Sequence, residues 1–126
     1  MTDQQTFEAR RMAVADEILE RPENFNMFLW GHRTACGTVA CLAGTAALQA
    51  QREGLCQIIW EHALPGGERL KYVQVPDGNV YHIGPWARDY LGLTEASARL
   101  FSQFHLTPET AAKTLLEEPY RTEEES

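Results

Sequence analysis

Two cysteines and a histidine carry most of the chemistry this sequence offers. Cys36 stands near the head of the segment Ala35-Cys36-Gly37-Thr38-Val39-Ala40-Cys41-Leu42-Ala43-Gly44-Thr45-Ala46-Ala47-Leu48-Gln49-Ala50, part of the only long charge-free stretch in the chain. Read as a helix, this segment puts Cys36 in the first turn. There the positive end of the helix dipole lowers a thiol's pKa and favours the nucleophilic thiolate. His82 follows on a later β-prone run, where an imidazole can take the thiol proton, and Asp89 or Asn79 can orient the ring. Cys36, His82 and Asp89 are thus the candidate catalytic set of a cysteine-dependent hydrolase. The competing reading is plain: a cysteine beside Gly and Ala is often just a small buried side chain.

Metal chemistry is the second possibility, through His32, Cys36 and Cys41. Zinc wants two ligand pairs at short spacing, and here the spacings are H-x3-C and C-x4-C, so Cys56 or His62 would have to complete the set. Two cysteines five residues apart on one helix also point in different directions. No metal and no cofactor is therefore expected. Cys36, Cys41 and Cys56 form an odd set without a disulfide framework, which predicts free thiols in a reducing compartment.

A site of either kind needs elements to hold it. In the charge-free segment Gly37, Ala40, Gly44 and Ala47 recur at steps of three and four, leaving a helical stripe almost without side chains, against which another helix is expected to pack closely, while Val39, Leu42 and Leu48 supply bulk. This predicts a buried central helix over Gly37–Ala50. Before it, Thr6 caps a predicted helix Phe7–Glu20, with Phe7, Val14 and Ile18 on one face and Met12, Ala15 and Leu19 beside them, and Pro22 stops it. Glu23–Gly31 reads as an irregular linker plugged into the core by Phe25, Phe28 and Trp30.

After the central helix, Leu55, Cys56, Ile59, Trp60 and Ala63 share one helical face, which predicts a short helix ending near Leu64–Gly67, with a strand as the alternative. Leu70–Val75 and Val80–Ile83 flank the turn Pro76-Asp77-Gly78-Asn79 and predict a β-hairpin. Gly84-Pro85 opens a helix that Gly92 closes. Thr94 caps the next, with Leu100, Phe101 and Phe104. Thr107-Pro108-Glu109 starts the last, which carries Ala111, Ala112, Leu115 and Leu116 and ends by Pro119.

The 126 residues are 44% hydrophobic and 23% charged, an ordinary balance for one globular domain. Residues 1–5 and 121–126 are expected to fray. The net charge of −7 includes a crowded acidic end, with Glu117, Glu118, Glu123, Glu124 and Glu125. That argues against direct nucleic-acid binding, which needs clustered Lys and Arg, and leaves open an acidic surface that docks on a basic protein. Arg10 and Arg11 are the only adjacent basic pair. The charge-free segment is too short and too rich in Gly and Thr to span a membrane. With no basic leader or apolar signal core at its start, the chain is expected to be cytoplasmic.

The run Cys36-Gly37-Thr38-Val39-Ala40-Cys41-Leu42-Ala43-Gly44 resembles a Cys-Gly-Thr-x-x-Cys-x-Ala-Gly signature of small bacterial and phage proteins. The likeness extends through Ala87-Arg88-Asp89-Tyr90-Leu91-Gly92-Leu93-Thr94 and Thr107-Pro108-Glu109, with Thr45 where an aromatic residue often follows the Ala-Gly pair. It implies a phage or bacterial setting and brings no reaction with it. The order of Cys36 and His82 is similar to that in papain-like and NlpC-like cysteine hydrolases, with different flanking residues. The expectation is a mainly helical α+β domain spanning 1–126, with one two-stranded hairpin attached to the central helix. Its expected role is non-enzymatic: docking on a host or bacterial protein, in one form as an inhibitor of a host or defence protein. The Cys36–His82 hydrolase is the alternative.

Overall fold

A computed structural model describes residues 3–27, 30–34, 37–62, 66–93 and 106–117. In chain order these form α1 (Asp3–Glu20), a 3-10 turn (Pro22–Asn24), β1 (Gly31–Thr34), β2 (Gly37–Ala40), α2 (Leu42–Arg52) and β3 (Gln57–His62). They continue with β4 (Glu68–Gln74), β5 (Val80–His82), α3 (Ile83–Leu91) and α4 (Pro108–Glu117). The chain is α+β, but the single hairpin is corrected: all five described strands join one antiparallel sheet. The helix expected from Thr94, with Leu100, Phe101 and Phe104, lies outside the described residues, as do Phe28 and the acidic tail.

The central helix is also corrected, because its first third is a strand. Thr38 and Val39 are β-branched and fit a pleated surface, and Gly37–Ala40 pairs residue for residue with Gly31–Thr34. Cys41 then turns the chain with an extended backbone, and α2 starts at Leu42. The remainder is the buried element the small residues imply, with Leu42, Ala43, Gly44, Thr45, Ala46, Ala47 and Ala50 all inside. What comes close is the linker rather than another helix: a Cβ on Gly44 would lie 1.5 Å from the Trp30 carbonyl oxygen. In the same linker Phe25 and Trp30 are half-buried plugs against the core, as the aromatic pattern predicts.

The short helix expected around Leu55–Ala63 is the strand β3. Ile58, Ile59 and Trp60 in succession favour extended backbone, and Gly54, at φ +77, has already ended α2. β4 is the centre of the sheet: β3 pairs along one side for its full length, while β1 and β5 share the other. The β4–β5 hairpin forms as its turn residues predict. Val75 N–H donates to Asn79 O at 3.0 Å and Gly78 N–H to Val75 O at 2.9 Å, with Gly78 at φ +96 and Asp77 Oδ1 accepting from Asn79 N–H at 2.8 Å.

Ile58, Leu70 and Val73 from the sheet meet Leu42, Ala43 and Ala46 of α2 and Ile83, Ala87 and Leu91 of α3 in one core. Val14 and Ile18 of α1 and Leu115 of α4 complete it. Helix α1 begins at Asp3, earlier than expected, so Thr6 lies within the helix rather than at its cap. The α4 start matches its prediction, with Thr107 Oγ1 accepting from Thr110 N–H at 3.2 Å. Arg10 and Arg11 serve the fold: Arg10 Nη1 donates to Tyr90 O at 3.0 Å and Arg11 Nη1 to Leu91 O at 2.6 Å. Two cations thus sit on the negative end of α3, Arg11 only 1% exposed.

Candidate functional site

Cys36 itself lies outside the described residues; its described neighbours, Thr34 and Gly37, pair with each other at the tip of the β1–β2 hairpin. That tip points beyond Glu68, because Arg33 pairs with Glu68, whereas His82 pairs with Tyr72. Those two positions on β4 lie opposite His62 and Ile59 of β3, three residues or about 10 Å apart.

The cysteine that does meet a helix start is Cys41, at the N-cap of α2. It is 1% exposed, and its thiol donates to the Trp30 carbonyl at 3.8 Å. Burial pushes the thiol up to about 11, against the backbone N–H groups of Gly44, Ala43 and Cys41 itself, which pull it down. Desolvation outweighs the helix end here, so Cys41 is a protonated core thiol at neutral pH. Cys56 is likewise buried and free, and burial pushes its thiol up to about 11.

His82 is the N-cap of α3: Gly84 N–H donates to its Nδ1 at 3.1 Å. That lone pair is committed to the helix and fixes the proton on Nε2 in the neutral ring. The ring lies edge-on between Trp30 and Tyr72, with centroids 5.6 Å and 5.8 Å away. Asp89 is seven residues along the same helix, about 10 Å by helical rise. Its side chain is 61% exposed, with Oδ1 3.5 Å from Arg88 Nε. Asn79, the other candidate orienting group, is spent on the turn, its Nδ2 donating to Asp77 Oδ2 at 3.1 Å. The structure thus brings His82 together with Trp30 and Tyr72, and not with Asp89 or Asn79.

Among the metal candidates, His32 Nε2–H donates to Gly66 O at 3.1 Å, while Cys41 is turned to Trp30. Among the described residues no three His, Cys, Asp or Glu side chains cluster to hold a metal ion. No described helix is long and apolar enough to cross a membrane.

Two surfaces stand out that motif reading missed. On α1, Glu8, Met12, Asp16 and Glu20 recur every fourth residue and are exposed, joined by Leu19 and, in the 3-10 turn, Glu23. Met12 is 57% and Leu19 48% exposed. The signal was present in the sequence as Glu8, Asp16 and Glu20, in phase at multiples of four with Met12 between them. The second surface is the outer side of β3, which among the described residues pairs with β4 alone. No protein-family model, curated protein or solved structure matches the chain.

Proposed function

We propose that the protein is a non-enzymatic interaction module that docks on a basic protein partner. The observation that carries this reading is the exposed face of α1. Asp16 and Glu20 are a like-charge i, i+4 pair, which weakens a helix by about 0.2–0.5 kcal/mol. They also sit, with Glu17, near the negative end of α1, whose last turn holds no basic residue. Each such misplaced charge costs roughly 0.3–1 kcal/mol at the surface. Among the described residues Glu17 is 3.6 Å from Arg52, and Arg21 follows the helix end. Charges placed against the helix's own electrostatics serve something other than folding, and Lys or Arg from a partner would relieve them. Met12 and Leu19 supply apolar contact within the same face.

Together with the resemblance to bacterial and phage proteins, this makes a host or bacterial protein the partner class, with inhibition of a defence protein as one form. The hydrolase alternative draws no support from His82, whose Nδ1 caps a helix. The test is capture from bacterial lysate with wild type, Cys36→Ser and the double charge reversal Asp16→Lys/Glu20→Lys. A partner that identifies as basic, survives Cys36→Ser and is lost on charge reversal is expected. Loss with Cys36→Ser in a still-folded protein would instead favour the thiol reading.

A further inference from the structure

We propose that the outer edge of β3 receives an extended segment of that basic partner as an added strand, an inference that rests on the docking reading above. Ile58 N–H points away from β4, because it donates to Gln51 Oε1 at 2.7 Å. Strand alternation then turns the N–H and C=O groups of Trp60 and His62 to the same outer edge. The bulge between Ile59 and Trp60 leaves this edge regular: its extra residue, Lys71, belongs to β4. Donors and acceptors repeating at strand pitch are satisfied together by another strand, which is how sheet edges recognise peptides.

The Gln51 amide occupies the place of one carbonyl of that incoming strand. Gln51 is exposed at the end of α2, so its side chain can swing aside when a main-chain carbonyl takes over the bond.

The side chains of β3 define the sequence the strand would carry. Gln57, Ile59 and Glu61 share the face opposite Ile58, Trp60 and His62. Ile59 is half-buried, and Glu61 Oε2 is 3.9 Å from Arg69 Nε, a loose pair at the surface. Cross-strand pairing therefore favours an apolar residue beside Ile59 and a Lys or Arg beside Glu61. A second copy of this chain is a poorer occupant, since each carries a net charge of −7 and like charges oppose the approach.

The experiment uses the full chain and a short capped peptide Val-Thr-Lys-Thr-Val-Thr-Lys, which sets valine and lysine two residues apart on one face, as Ile59 and Glu61 are. The control is the same peptide N-methylated at alternate residues, in both registers, which keeps charge and side chains but cannot complete a ladder. The plain peptide is expected to bind about tenfold or more tighter than at least one methylated form, and to slow amide exchange at Trp60 and His62. His62→Pro should remove that difference with little effect on the thermal midpoint, since proline is tolerated where an edge N–H faces outward. If that variant fails to fold, the methylation comparison on wild type decides alone. Equal affinity for all peptides would overturn strand addition while leaving charge-driven docking standing. No binding at millimolar peptide would sink both. Concentration-dependent self-association that protects Trp60 and His62 without peptide would assign the edge to a second copy and overturn the proposal.

Discussion

His82 is held by the backbone of the helix it begins, and its replacement separates a structural from a catalytic role. His82→Ala should cost about 1 kcal/mol, the usual loss for an N-cap, and lower the thermal midpoint by a few degrees. His82→Asn, which can accept from the same Gly84 N–H, should restore most of it. Equal midpoints for the two variants would mean that the cap contributes nothing. The thiols make a separate prediction at alkaline pH. Cys41 and Cys56 are raised from 9.0 to about 11 in the folded chain, so above pH 9 the unfolded chain releases protons that the folded one retains. Stability from this source is full below pH 9 and declines as pH rises towards 11. Thermal midpoints across that window should fall for wild type and fall less steeply for Cys41→Ala.

At the scale of elements, α2 is the piece whose packing tolerates least. Gly44→Ala should be strongly destabilising, because the added Cβ would meet the Trp30 carbonyl and overpacking typically costs about 1–3 kcal/mol. A drop of several degrees in midpoint is the expected reading; an unchanged midpoint would contradict the approach of linker to helix. The small-residue stripe made this close contact legible in the sequence, although it pointed to another helix rather than to the Trp30 backbone. The β4–β5 hairpin, α3 and α4 were legible for a related reason: Asp77-Gly78, Gly92 and Thr107 act within a few residues of themselves. Misread elements were those whose state is set at long range. Gly37–Ala40 becomes a strand because Gly31–Thr34 lies beside it, and Gln57–His62 because β4 does. The helical phase of Cys56, Ile59, Trp60 and Ala63 carried no trace of that partner. Moving the start of α2 to Leu42 also moved the helix-end cysteine from Cys36 to Cys41, which is why the candidate thiol chemistry changed.

Across the whole molecule, the acidic excess is the property on which the proposed docking rests. Complementary charge acts mainly on encounter and specificity, so a partner of this protein should associate more slowly and more weakly as salt rises. In the proposed docking the exposed acids of α1 supply the attraction, and Met12 and Leu19 within the same face supply contact that salt does not screen. The most direct measurement is the affinity of the captured partner over a salt series, for wild type and for Asp16→Lys/Glu20→Lys. The docking account predicts tight binding at low salt that weakens steadily for wild type. It predicts a weaker and flatter dependence for the charge-reversed protein, with both chains equally folded. Identical salt curves for the two proteins would contradict it.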